Sequence, residues 1–357
     1  MSKPALKIDE AKLNAFMGRA VQDMGAAFNT AMIILGDRLG LYKAMAGAGP
    51  MTSADLANKT GTTERYVLEW LSGQAAGGYV TYDAATKTFT LPDEQALALA
   101  VDDSPAFIPG AFQVIASAIA DEPKIRAAFK SGAGVGWHEH DPGLFEGTER
   151  FFRPSYAANL ISSWLPALHG VEAKLKAGAK VADVGCGHGA STILMAQAFP
   201  ESEFFGFDYH EASIEKARSA AAKAGLADRV TFGVAPAKSF PGEQYDLVTV
   251  FDCLHDMGDP AGASAHVFSR LKSDGTWMIV EPFANDRLEE NLNPIGRVFY
   301  AASTMICTPA SLSQEVGLGL GAQAGEARLR EVVMSGGFTK FRRATETPFN
   351  LVLEARP

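Results

Sequence analysis

Apolar and polar positions change their period along this chain, and the changes mark out its organisation. From Ala11 to Tyr42 the apolar residues recur at helical spacing. Phe16, Met17, Ala20, Met24, Ala27, Phe28, Ala31, Ile34 and Leu35 nevertheless cover more than one face. A helix apolar on several faces is buried on several faces, so this stretch predicts a second subunit as well as a core of its own. Thr52-Ser-Ala-Asp-Leu-Ala predicts a short helix capped by Thr52 or Ser53. Thr62-Thr-Glu-Arg opens another, with Tyr66, Val67, Trp70 and Leu71 on one face and a stop at Gly77-Gly78. Tyr79-Val-Thr-Tyr and Lys87-Thr-Phe-Thr-Leu then read as a hairpin around Asp83-Ala-Ala-Thr.

Helices followed by a two-stranded wing form a winged-helix pattern, expected over residues 1–100. Residues 101–170 read as a helical connector and lid. They hold the glycine-rich stretch Ser131-Gly-Ala-Gly-Val-Gly-Trp and then His138-Glu-His-Asp-Pro. From 171 to 357 the period shortens. Val181–Val184, Glu203–Phe207, Val230–Val234, Asp246–Phe251 and Trp277–Val280 are short β-rich segments alternating with helices. That alternation predicts an α/β domain, a mostly parallel Rossmann-like sheet with helices on both faces. Two last strands begin at Phe338 and Phe349. The link through Glu346-Thr-Pro is too short for a helical crossover, so they should pair antiparallel.

The densest local signal is Val181-Ala-Asp-Val-Gly-Cys-Gly-His-Gly. A strand runs into glycines and then into a helix near Ser191. Gly185 and Gly187 permit a tight turn and let a ligand approach the backbone. Asp183 places a carboxylate where it can organise the loop and meet a cationic group. Asp208 ends the next strand, where a carboxylate accepts from ribose hydroxyls, and Tyr209 beside it can pack on a base. Gly185, Gly187 and Ala190 also satisfy a dinucleotide pattern. An acid ahead of the glycines disfavours a pyrophosphate, however, and the antiparallel end is foreign to that fold.

Composition narrows the partners. The chain has 357 residues, 47% of them hydrophobic, and a net charge of −9, which argues against nucleic acid as a ligand. Glu64 and Glu69 surround the one Arg65 on the helix that would read DNA, so a winged-helix transcriptional regulator is the lesser alternative. A silent, dimeric cofactor-binding scaffold is the other. No apolar run is long enough to span a membrane, and no signal peptide is read at the start. Three scattered cysteines offer no disulfide framework, so a cytoplasmic place is expected. His138-Glu-His-Asp141 fits no familiar zinc spacing and is expected to be a solvated loop, with a mobile lid as the alternative; no metal is expected.

The order Asp-x-Gly-x-Gly-x-Gly, acidic second strand and terminal hairpin resembles the class I S-adenosylmethionine-dependent methyltransferases, over roughly Lys174 to Pro357. With the winged pattern included, nearly the whole chain is similar to two-domain small-molecule O-methyltransferases, a mycobacterial-type group among them. The resemblance implies S-adenosylmethionine as cofactor, a small-molecule acceptor with a hydroxyl foremost, and a homodimer built through the N-terminal domain. It implies a cofactor site at Asp183, Gly185, Gly187, Asp208, Tyr209, Ala235, Pro236, Asp252 and Tyr156. One departure stands out. Pro236 occupies the place where the family usually carries an acid for the adenine amino group, so backbone near Ala235 should hold the adenine.

His255 falls where many of these enzymes carry a general-base histidine, and Glu281 matches the carboxylate that orients it. Imidazole titrates near neutral pH and can take a hydroxyl proton. A loop-supporting role for His255 is equally open. Phe299, Tyr300, Met305 and Gln314 are candidates to line the acceptor pocket or to be core, and Glu326 is a candidate second carboxylate near His255.

Overall fold

The computed structural model describes residues 6–357, which form two compact units divided between Ala116 and Ser117. In the N-terminal unit a helix runs over Glu10–Arg38, with Asp9 accepting from the N–H groups of Ala11 and Lys12. Its only buried residues are Thr30, Ile33 and Gly36. Burial on several faces therefore does not occur within the chain. Phe16 is 62% exposed and Phe28 80% exposed. The helix packs through its C-terminal part because Gly36 lets it close on Tyr42 and Trp70, whose ring atoms stand 2.4 and 2.6 Å from where a Cβ would be.

Thr52 caps the helix Ser53–Thr60 in a reciprocal box with Asp55. The next helix, Glu64–Ala76, buries Val67, Trp70 and Leu71 as expected, but Tyr66 is 80% exposed. It lies one residue off the buried stripe. The wing is β1 (Thr81–Asp83) paired antiparallel with β2 (Thr88–Thr90). Ile33, Leu41, Tyr42, Leu56, Leu71 and Phe89 make the core of this unit.

The C-terminal unit is built on seven strands. These are β3 (Lys180–Val184), β4 (Glu203–Asp208), β5 (Val230–Val234), β6 (Tyr245–Phe251), β7 (Leu271–Pro282), β8 (Lys340–Glu346) and β9 (Asn350–Arg356). Their order across the sheet is β5-β4-β3-β6-β7-β9-β8. β3 to β7 are parallel, while β9 enters antiparallel between β7 and β8. β7 is longer than the sequence suggests because its first turn-rich residues, Leu271 onward, still bridge to Tyr245. One face of the sheet packs on Trp164, Leu175, Met195 and Ile214, the other on Val267, Leu329 and Val333. β3 lies between β4 and β6, so the chain leaves it in opposite directions across the sheet. Such a reversal opens a crevice beyond the carboxyl ends of the strands.

Two helices carry π-helical turns, at Leu160–Trp164 and Ser303–Cys307. No helix among the described residues is long and apolar enough to cross a membrane.

Candidate active site

The crevice is a cavity of about 440 Å³. Gly185, Gly187, Asp208, Tyr209, Ala235, Pro236, Asp252 and Tyr156 all line it. Gly185 has φ +72°, and a Cβ there would stand 2.6 Å from the Cys253 sulfur. Gly187 has φ +52°, with open space where a Cβ would point. The first glycine is thus demanded by packing, the second by the turn itself.

Asp208 ties the loop to its strand. Its Oδ2 accepts from Gly187 N at 3.0 Å and its Oδ1 from His210 N at 2.8 Å. Burial pushes its carboxyl up, against these backbone donors. Each oxygen keeps a further lone pair for a ligand hydroxyl.

Asp183 differs from the expectation of a ligand contact. It is fully buried and does not line the cavity. Oδ2 accepts from Ser191 and Thr192 hydroxyls at 2.6 Å each, and Oδ1 from Thr249 at 3.0 Å. It organises the loop from beneath, pinning the start of the helix Ala190–Ala198 to β3 and β6. The carboxylate that faces the ligand space next to Gly185 is Asp252. It stands at φ +50°, accepts from Tyr156 Oη at 3.0 Å and from Asn350 Nδ2 at 3.2 Å. Burial, then the nearby Glu281, pushes its carboxyl up to about 7.

Pro236 lies in the cavity wall with Ala235 and Ala237. Lys238 turns away to Asp259 and Glu315, both at 3.1 Å. This corner therefore offers a base apolar walls and backbone, with Tyr209 alongside.

The expected catalytic pair is present but recessed. His255 is 3% exposed, Glu281 1%, and neither lines the cavity. His255 Nδ1 and Glu281 Oε2 are hydrogen-bonded, and Glu281 Oε1 accepts from Leu254 N at 2.9 Å. Nε2 faces Asp256 Oδ1 at 3.1 Å. Burial opposes charge on this ring, but Glu281 and Asp256 together outweigh it and hold its pKa well above the ordinary 6.5. An imidazolium between two carboxylates has no free site for another proton. Asp256 is the member of the group that lines the cavity. Cys307 lies against both; burial, then Asp256, pushes its thiol up to about 12.

Other expectations resolve differently. His138-Glu-His-Asp141 is solvated only in part, with His138 and Glu139 exposed. His140 is buried on Asp121 at 2.9 Å, Asp141 accepts from Ser117 at 3.0 Å, and Glu139 accepts from Gly136 N at 2.6 Å. Gly136, Trp137 and His138 form cavity wall. Of Phe299, Tyr300, Met305 and Gln314, only Gln314 lines the cavity. Glu326 pairs instead with Arg330 and Arg343. Tyr156 was expected at the site, and the helix that carries it, Gly143–Asn159, also presents Phe145, Thr148, Glu149, Phe152 and Arg153, which the sequence analysis did not assign to the cavity. Their spacing of three, four and seven is the signal that was there to find.

Residues 175–315 match the methyltransferase domain family. The C-terminal unit carries this methyltransferase domain. Residues 27–101 match the Rv2258c-like winged helix-turn-helix domain, so the methyltransferase domain follows a winged domain, as the pattern of helices and wing predicts. Among curated proteins, a 27-O-demethylrifamycin SV methyltransferase of Amycolatopsis mediterranei is 30% identical over 44% of this chain and 54% of its own length. A ubiquinone biosynthesis O-methyltransferase of Leptothrix cholodnii is 32% identical over 44% of this chain and 62% of its own. The chain thus matches little more than half the length of these relatives. In fold the likeness is nearly complete. The mitomycin 7-O-methyltransferase MmcR superposes with a TM-score of 0.70 at 18% identity, covering 98% of this chain and 100% of the other. Human N-acetylserotonin methyltransferase, solved with S-adenosylmethionine, gives 0.71 at 15%, covering 99% of each chain.

Proposed function

We propose that the protein transfers the methyl group of S-adenosylmethionine to a hydroxyl of a small molecule, with Asp256 receiving the hydroxyl's proton. The carrying observation is that Asp256 reaches into the same cavity as Gly185, Gly187 and Asp208, while His255 stands behind it. The ribose binds Asp208. The ammonium of the methionine end binds Asp252 and the backbone at Gly185. Tyr209 and the wall at Ala235 and Pro236 flank the adenine. His255, held by Glu281, faces Asp256 at 3.1 Å and holds it in place, and so acts as a positioning group rather than as the base. A positioned proton acceptor is worth about 10²–10⁴-fold in rate. O-methyltransferases among the sequence relatives support oxygen as the acceptor atom.

The test pairs two variants with labelled cofactor and a panel of phenolic and aliphatic alcohols. Asp256→Asn should lose turnover while holding S-adenosylhomocysteine as tightly as the parent. Normal turnover in that variant on a genuine substrate would end the assignment.

We also propose a homodimer through the helix Glu10–Arg38. Leu13, Phe16, Met17, Val21, Met24 and Phe28 are all exposed in the single chain. An apolar run of this extent is more than a monomer ordinarily leaves in water. The three free thiols, Cys186, Cys253 and Cys307, fit a reducing, cytoplasmic setting.

A further inference from the structure

We propose that His255, Asp256 and Cys307 form a binding site for a divalent transition-metal ion, with zinc the best match, and that an ion bound there blocks methyl transfer. The inhibitory half rests on the reading of Asp256 given above; the site itself does not.

One ligand atom from each residue lies within 4.8 Å of the other two. The three come from two elements far apart in sequence. His255 and Asp256 sit on the turn Leu254–Asp256 after β6, and Cys307 on the π-helical turn Ser303–Cys307. Their meeting is a tertiary arrangement rather than a run of polar residues in a loop. Imidazole, carboxylate and thiolate together are a borderline-soft donor set, which suits zinc and disfavours magnesium or calcium.

The outer partners agree. A ligating histidine ordinarily gives its second ring nitrogen to a carboxylate, which fixes the tautomer and raises the basicity of the first. Here Glu281 holds Nδ1, and Nε2 is left facing Asp256 Oδ1 at 3.1 Å. Glu281 is itself fixed by Leu254 N at 2.9 Å. Asp256 Oδ1 is buried and makes no hydrogen bond of good geometry, so a buried acceptor there is turned toward the ring and the thiol. Zinc's ligands stand about 2.0–2.3 Å from the ion. The three atoms need to close in only slightly to reach it. Three protein ligands leave a fourth position, and since Asp256 lines the cavity, that position opens toward the acceptor. Binding replaces the protons on His255 Nε2 and Cys307 Sγ with the ion; both protons pass to solvent, with no change of oxidation state.

Cobalt(II) tests the site on the full-length chain, stripped of metal and kept reduced. One equivalent should produce a thiolate-to-cobalt charge-transfer band in the near ultraviolet, and zinc should bleach it. Cys307→Ala should lose the band, whereas Cys186→Ala should keep it. Calorimetry with S-adenosylhomocysteine and a thermal melt check that each variant is folded. A wild-type chain without the band overturns the site, as does a band that survives in folded Cys307→Ala. In the activity assay, zinc should inhibit the parent and spare Cys307→Ala, which carries no role in the reaction. A band without inhibition would uphold the metal site and remove Asp256 from the proton's path.

Discussion

Glu281 holds His255 by Nδ1 at the carboxyl end of β7, and both side chains are sealed from the cavity. This fixes the ring so that Nε2 addresses Asp256 and no ligand directly. His255→Gln should therefore act through Asp256. Turnover should fall, by about 10²-fold or more, with the Kd for S-adenosylhomocysteine unchanged. Glu281→Gln should follow the same direction and also destabilise the fold, because a buried imidazolium loses its counter-charge. Comparing the two variants separates the roles. If His255 were the base, Asp256→Asn would keep most of the turnover that His255→Gln loses; the expected result is the reverse, with Asp256→Asn losing more.

Asp208→Ala should weaken cofactor binding. The variant removes two charge-assisted hydrogen bonds to the ribose, each worth about 1.5–3 kcal/mol, and loosens Gly187, whose N–H it holds. Calorimetry reads the change directly. Unchanged affinity would take Asp208 out of the site.

Asp252 gives the cofactor a pH dependence. Its carboxyl is raised to about 7, by burial first and Glu281 next. An ammonium ligand selects the carboxylate, so the free protein must shed the proton before binding. Affinity for S-adenosylhomocysteine should be flat above about pH 7 and fall up to tenfold per unit below it. The same shift has the opposite sign for folding. The native pKa exceeds the ordinary 3.8, so the unliganded fold binds the extra proton between 3.8 and about 7, and this group's share of stability falls as pH rises through that window. Asp252→Asn should flatten both profiles, read by calorimetry and by thermal melts across pH.

Phe28→Asp tests the exposed face of the helix Glu10–Arg38. Phe28 is 80% exposed in one chain, so the variant should leave the monomer's fold intact while sedimentation shifts from dimer to monomer. A parent chain that sediments only as monomer at micromolar concentration would dismiss the interface.

The frame of the site was legible in the sequence because its parts are local. The glycine loop, Asp208 at the tip of β4 and the strand alternation all depend on residues a few positions apart. What stayed hidden depends on rotation and depth. Asp183 precedes the glycines in sequence, yet its position on β3 turns it into the core toward Ser191, Thr192 and Thr249. His255 and Asp256 are neighbours, and only the shape of one short turn decides which of them meets the cavity. The wall from Phe145 to Tyr156 was written in helical spacing, but the same spacing describes any helix packed on a core. The outward face of the first long helix is exposed in the single chain for a related reason. Apolar periodicity reports that a surface seeks cover, not whether the cover belongs to the same chain.

The position of β9 bears on how the molecule is made. This strand enters the sheet between β7 and β8, and its Asn350 donates to Asp252 across 98 positions of sequence. A ribosome that has extruded everything through β7 has released every element of the glycine loop and both acidic strand tips. It has not yet supplied the strand that covers the edge of β7 or the amide that steadies Asp252. Until then that edge is an open template for other chains. Vectorial synthesis therefore delays a competent pocket until β9 has emerged. A growing polypeptide of this protein is expected to gain protection from S-adenosylmethionine only after residue 350 has cleared the exit tunnel.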